Sequence, residues 1–436
     1  MPHLTFWRWA VQSGLPQLML RREARHGQLG ARLAVDRSLW ADPYPTYEQM
    51  RARGDLLSGR LVSSTVSHTV ASEVLRSPDF GVDMRISQRL SPLARRLLST
   101  SVDPWAVGPI QPPSMLAVDP PDHTRYRRLV SKVFTARAIA GLEERVEQIT
   151  DELLRAIQGR PGPIDLVETL AAPLPVRMIA EILGVPDEMQ PQMLSWGDAA
   201  ATTLEPAITY RQYRDAQVAL RKIHHWLAGH LSRLRADPGE DLLSRLAVLV
   251  DDGETLTDLE LRATALLVIG AGFETTVNLI TNGAALLLEH PEQLAKLRND
   301  PSLWPNAVDE MLRFEAPVQA TARIALTDTT VAGHDIAAGR FIVTMLGGAN
   351  RDPEVFDAPN SFDITRTNAR DHLAFSAGIH FCLGASLARL EGATALRMLF
   401  ERFDIAAAGP PTRRAMRVLR GYDAFPVRLE PSRVAA

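Results

Sequence analysis

Phe375-Ser-Ala-Gly378-Ile-His380-Phe-Cys382-Leu-Gly384-Ala is the stretch that decides the reading of this 436-residue chain. It holds the only cysteine in the sequence. A lone thiol makes neither an internal disulfide nor a multi-cysteine zinc site. Gly378 permits a turn that a β-carbon would obstruct, and a helical pattern resumes from Leu383 to about Phe403. The loop therefore presents one sulfur beside a helix start, where backbone N–H groups can donate to it and favour its anionic form. Two other readings stand beside this one. A buried structural cysteine is the commoner fate of a single Cys. A nucleophile paired with His380 is the other, although residues two apart in a loop need not face each other and the chain offers no third, orienting group.

Upstream, residues 263–277 read Ala-Thr-Ala-Leu-Leu-Val-Ile-Gly-Ala-Gly-Phe-Glu-Thr-Thr-Val. A helix apolar all round belongs in a core. Its two glycines each cost about 1 kcal/mol relative to alanine, which points to close approach of something bulky or to a local opening of the helix. Thr275 can bond back to the Ala271 carbonyl and loosen the helix there. Glu310 and Arg313 stand at i, i+3 on one helix face; taken alone, such pairs are usually surface decoration. His123 and Arg127 stand at i, i+4, a spacing equally compatible with a solvated basic helix start.

Hydrophobic content of 46% suits a globular protein with a substantial core. Net charge of -3 argues against general nucleic-acid binding. Helical periodicity covers 123–159, 210–235, 241–250, 257–289 and 303–314, with Asp300-Pro301-Ser302 as a helix entry. Residues 323–346 read as short strands with turns at Gly333-His334 and Ala338-Gly339, and 350–381 read as irregular. No repeat or linker divides the chain, so it reads as one large mixed domain, 36–436, after a lead-in at 1–35. The lead-in is mildly apolar, but polar residues and Pro16 interrupt it. It is too short and broken for a bilayer span of about 20 residues, so no integral membrane segment is expected, and it lacks the order of a signal peptide. An amphipathic segment packed on the fold is favoured over weak membrane-surface contact.

The cysteine stretch resembles the haem-binding loop of cytochrome P450s, Phe-x-x-Gly-x-[His or Arg]-x-Cys-x-Gly, at Phe375, Gly378, His380, Cys382 and Gly384. The core helix resembles the family's oxygen-activation helix at Ala271, Gly272, Glu274, Thr275 and Thr276. The other family motifs follow in order: Asp-Pro-Pro-x-His-x-x-x-Arg at 119–127, Glu-x-x-Arg at 310–313, and Arg323. The wording is most like soluble bacterial P450s of actinobacterial and mycobacterial type. The resemblance implies a mainly α fold with small β-sheets, a triangular-prism-like single haem domain. It implies haem b with Cys382 as iron ligand, Thr275 as the oxygen-binding hydroxyl and Glu274 as the proton relay. His123, Arg127, Arg323 and His380 would bind the haem propionates, while Phe375, Gly378, Gly384 and Ala271 would line the cofactor. Glu310 and Arg313 would be a buried structural pair. Its customary third arginine is replaced by Ser361, so Arg351 or Arg366 would substitute.

The implied activity is that of a monooxygenase inserting one oxygen atom of O2 into a hydrophobic small molecule: a lipid, steroid, terpenoid or polyketide. One cysteine cannot hold an iron–sulfur cluster, so electrons would come from separate proteins; the resemblance implies that these are a ferredoxin and ferredoxin reductase, in the cytoplasm. Arg125, Arg128, Lys132 and Arg389 could form an acidic-partner site or be ordinary solvated charges. Leu267, Val268, Val318 and Thr321 are candidate pocket residues, with Tyr422–Phe425 as a late turn and 80–115 and 192–212 as variable lids. A haem-thiolate sensor, a peroxide-driven peroxygenase and, most remotely, a non-haem apolar carrier are the alternatives. An intact Glu274-Thr275 pair argues against the sensor.

Overall fold

The computed structural model of the chain describes residues 2–60, 62–83 and 103–432. Most of the anticipated first lid, 84–102, lies outside the described residues.

The chain is mainly helical, as the periodicity predicts. The apolar segment forms the central helical run, Asp258–Gly272 followed by Glu274–Glu289. Thr257 and Glu260 open it with a reciprocal capping box, which satisfies two otherwise orphaned N–H groups. The run is long and apolar enough to cross a membrane, yet two-thirds of its most apolar window is buried in the protein. Leu266, Ile269, Val277 and Ile280 fix it in the main core. Around it pack Pro173–Ile182, Gln190–Thr202, Tyr210–Ala236, Trp304–Phe314 and Ala385–Arg402. The second anticipated lid, 192–212, is the end of one of these helices, a connector, and the start of the next.

Two sequence expectations change. The single helix expected over 123–159 is three, Asp122–Val133, Ala136–Ala140 and Glu143–Ile157. Thr135 breaks it by accepting from the Ala138 N–H and so capping a new helix. Tyr422–Phe425 is not a turn. Tyr422–Ala424 is a strand paired with Thr412–Arg413, and both Tyr422 and Phe425 are core residues.

The largest sheet orders its strands Leu57–Ser58, Val62–Thr65, Phe341–Thr344, Thr321–Ala325, Phe80–Gly81. The Val62–Thr65 and Phe341–Thr344 pair is parallel. This sheet carries Arg323 on its Thr321–Ala325 strand. Residues 350–381 hold no strand and only short 3-10 helices among turns and bends, yet buried residues such as Phe356, Phe362, Ile364 and Leu373 recur along them. Their anchor is the Glu310–Arg313 pair on the Trp304–Phe314 helix.

Candidate functional site

The cysteine loop closes with a hydrogen bond from the Cys382 N–H to the Phe375 carbonyl, 3.0 Å. Gly378 turns it at φ +69°, and a Cβ there would run into the Leu75 carbonyl oxygen. Glycine alone serves at that point. The Arg389 guanidinium lies 4.6 Å over the Phe375 ring and is held in turn by Asp309 at 2.6 Å. Helix Ala385–Arg402 starts directly after the sulfur, with Gly384 as its N-cap. A Cβ on Gly384 would meet no neighbouring atom within 4 Å. Burial pushes the Cys382 thiol pKa up, against a Gly384 N–H and the charges of Arg127 and Arg389. Such a thiol stays protonated by itself; a coordinated metal ion would deprotonate it outright.

Four basic side chains converge beside this loop. The His123 and His380 rings lie 4.2 Å apart, each with a buried, unpartnered Nε2. Burial pushes the His380 pKa down to about 3, with Arg323, His123 and Arg127 adding repulsion. Burial lowers His123 as well, helped by Arg127. Arg323 is buried and driven to about 10 by desolvation. Among the described residues it donates only to uncharged oxygens, those of Thr321, Ala322 and Ser376. Asp119 is the acid that acts on His123 and Arg323, but its carboxylate is taken by the Val82 and Asp83 N–H groups at 2.9 and 3.0 Å. Among the described residues Arg127 has neither a hydrogen bond nor an ion pair. Buried cations without anions are costly, so the cluster suits a ligand bearing two carboxylates.

Within the core, the central helix opens. Its regular turns stop at Gly272 and restart at Glu274, with Phe273 between them. Thr275 and Thr276 hydroxyls donate to the Ala271 and Gly272 carbonyls, at 2.8 and 3.1 Å, across that break. These are the i−4 back-bonds the sequence predicts for Thr275. Gly272 packs tightly, and a Cβ there would force the end of the Ile179 side chain to move. Leu267, Val268 and Thr275 are only half-buried and Ala271 is exposed, in the middle of an otherwise buried helix. They form one helical face left partly open among the described residues. Val318 and Thr321 are also half-buried; Val318 packs on the small cluster containing Leu75 and Ala377.

Glu274 points away from that face and forms a buried ion pair with Arg414. Arg414 also meets Asp423 at 2.9 Å and approaches Asp198 at 3.9 Å, both half-exposed or more. A chain of charged groups thus runs from Glu274 to the surface.

Glu310 and Arg313 are fully buried and bidentate, at 2.6 and 2.8 Å. Arg366 is the third member, 3.2 Å from Glu310. Arg351 lies elsewhere, stacked on Tyr44 and Phe314 and paired with Glu315 at 3.6 Å.

The four cations offered as a partner site are corrected. Arg125 is paired with Glu260, Arg128 with Asp251 and Glu254, and Lys132 with Asp251, while Arg389 is held by Asp309. They form no free positive patch. The exposed apolar groups of the cysteine loop are instead Ile379 and Phe381.

Sequence reasoning also missed Glu391, on the helix behind Cys382. It is buried with both carboxylate oxygens unpartnered, and burial raises its pKa to about 8. The neighbouring Thr276 hydroxyl spends its proton on the Gly272 carbonyl, so it can accept from a neutral Glu391 but not donate to an ionised one. The folded state keeps a proton that the unfolded chain releases between about pH 4.5 and 8, so this group makes stability fall as pH rises through that window. Glu391→Gln should therefore melt higher than the parent at pH 8, with the gap shrinking towards pH 5. Thermal denaturation at both pH values tests this; an equal gap at the two would show that Glu391 does not titrate as described.

A large helical fold around one half-buried cysteine, with a cation cluster and an opened helix, is the architecture of a haem-thiolate protein. The chain belongs to the cytochrome P450 family. The family model, cytochrome P450, matches residues 176–416. The chain is 47% identical over 429 residues to putative cytochrome P450 140 of Mycobacterium tuberculosis, covering 98% of each. It is 39% identical over 401 residues to the vitamin D(3) 25-hydroxylase of Pseudonocardia autotrophica, covering 90% of this chain and 95% of that one. In structure it is similar to Mycobacterium smegmatis CYP164A2 in the ligand-free state, with a TM-score of 0.82 at 36% identity, covering 92% and 99% of the two chains. Family members bind haem b through a cysteine thiolate and are monooxygenases. This chain is accordingly a haem monooxygenase that takes electrons from a redox partner.

Proposed function

We propose that Cys382 is the haem ligand of a monooxygenase acting on a hydrophobic molecule of steroid size, housed in a haem domain spanning 36–436. The reading rests on the cluster of His123, Arg127, Arg323 and His380 beside a single half-buried cysteine; among the described residues the acid that acts on this cluster, Asp119, has its carboxylate taken by backbone N–H groups. These groups would hold the two propionates, and the open space at Gly384 would accept the ring. Haem bound there supplies the redox chemistry that activates O2 for insertion of one oxygen atom into substrate. Leu267, Val268 and Ala271 present apolar surface to the substrate and exclude water. Val318 and Thr321 would complete the pocket.

Thr275 Oγ1, now donating to the Ala271 carbonyl, rotates to give its proton to the reacting oxygen. Glu274 would move protons inward from solvent by way of Asp198 and Asp423, its side chain swinging from the Arg414 ion pair towards Thr275. The hydroxylation of vitamin D3 named for one relative favours the steroid end of the substrate range. Electrons would come from a cytoplasmic ferredoxin and its reductase.

The test is a reduced-CO difference spectrum, then a screen of steroids, terpenoids, polyketides and fatty acids for spectral shifts. Hits are incubated with a reconstituted ferredoxin chain, or with hydrogen peroxide alone. Product formed only with the redox chain supports the reading. Equal rates with peroxide would favour a peroxygenase, and ligand binding without product a sensor. Thr275→Ala should keep consuming oxygen while product per electron falls, since a positioned proton donor contributes about 10²–10⁴-fold. Undiminished product yield from the variant would remove Thr275 from the proton path.

A further inference from the structure

Residues 2–25 form a rod of helix Pro2–Trp9, a π-turn at Ala10–Gly14 and helix Leu15–Arg25. One side is pinned to the protein. Trp9 Nε1 donates to the Ile208 carbonyl at 2.9 Å. The Phe6 and Trp9 rings pack on Tyr210, with centroids 5.4 and 5.7 Å away. Gln12 meets the Tyr213 hydroxyl at 3.3 Å.

The other side is open. Trp7 is 64% exposed, Leu18 61%, Leu15 53% and Met19 51%. Single exposed apolar residues are ordinary on a protein surface, but four of them on one short rod form a patch. Leu15, Leu18, Met19 and Arg22 follow the i, i+3, i+4, i+7 spacing of one helical face. Arg21, Arg22 and Arg25 are exposed at the end of this face, and none forms an ion pair among the described residues. The chain as a whole is acidic, with net charge -3, so the rod is a local positive, apolar strip on a negative protein.

We propose that this rod lies on an anionic membrane surface. Trp7, Leu15, Leu18 and Met19 would enter the headgroup–acyl boundary, and the three arginines would pair with lipid phosphates. The charge favours this occupant: a second copy of the chain would bring the same three arginines into repulsion, while an anionic bilayer neutralises them. The rod is pinned to residues 208–213, so docking sets the connector between helices Gln190–Thr202 and Tyr210–Ala236 beside the lipid. An apolar molecule dissolved in the bilayer would then meet that segment first. The attachment is independent of the haem chemistry and leaves the rest of the fold in water.

The experiment is vesicle flotation of the haem-loaded full chain, with phosphatidylcholine alone and with added phosphatidylglycerol. Binding is expected only to the anionic vesicles, weakening with salt as the charges are screened. Replacing Arg21, Arg22 and Arg25 together by Gln should weaken it on the order of a hundredfold. Trp7→Ser with Leu18→Ser should remove it while the haem spectrum stays that of the parent, which shows the fold intact. Failure to bind anionic vesicles overturns the proposal. So does sedimentation as a dimer that the Trp7→Ser, Leu18→Ser variant dissociates, because the strip would then be covered by a second copy.

Discussion

Cys382→Ala is expected to lose the thiolate-haem band of the reduced-CO difference spectrum and all turnover above the uncatalysed background. The geometry makes this loss complete. Cys382 is the only sulfur nucleophile in the chain, half-buried at a place where desolvation raises its pKa against the neighbouring cations. The nearest alternative ligand in the loop, His380, lies within the cation cluster with its pKa pressed down to about 3. Cys382→His separates ligation from folding. It should retain haem with a spectrum of nitrogen ligation, because the neighbouring cations would still hold the propionates, yet it should lack the electron push that favours O–O cleavage. A Cys382→Ala protein that kept the thiolate band would exclude this residue as ligand.

Arg313→Ala is expected to have the largest effect on stability. Its guanidinium binds Glu310 twice and donates to the carbonyls of Asn350, Pro359 and Ser361, at 3.0, 2.9 and 3.1 Å. Arg366 and the Asp363 N–H join the same Glu310. One side chain therefore ties a helix to an irregular stretch that has almost no backbone ladder of its own. Removing one partner of a buried pair costs about 3–5 kcal/mol because the other charge stays behind. Arg313→Lys should recover little, since an ammonium cannot reproduce the planar fork. Haem loss should precede global unfolding in a thermal melt followed at both haem and far-ultraviolet wavelengths. Coincident transitions at the parent's temperature would show that the pair does not anchor the loop.

What was legible in the sequence was contiguous. The cysteine loop, the Ala271–Thr276 segment and the Glu310–Arg313 pair each carry their chemistry within ten residues or so. The Thr275 back-bond follows from helix geometry alone. What stayed hidden depends on residues far apart in the chain. Glu274 finds Arg414 across 140 positions, so the acid expected beside Thr275 is held in an ion pair instead. Arg125, Arg128 and Lys132 look free because Asp251, Glu254 and Glu260 are more than a hundred residues away. Arg366 and Arg351 were equal candidates for the third partner, and only the chain path through 350–366 separates them. Glu391 sits in an unremarkable helical sequence, and its burial becomes evident only when Thr276 packs beside it.

The parallel pairing of Val62–Thr65 with Phe341–Thr344 has a consequence for biosynthesis. It joins positions about 280 residues apart, and the strand that carries Arg323 is built on it. At a synthesis rate of about 5–20 residues per second, the early strand waits roughly 15–55 s for its partner to emerge. Until then it offers an open edge to any other strand, a known route to misassembly. The cation cluster and the thiol are likewise incomplete until residue 382 has left the ribosome. Cofactor capture is therefore a late event in the life of the chain, and the nascent protein depends on whatever shields that edge in the meantime.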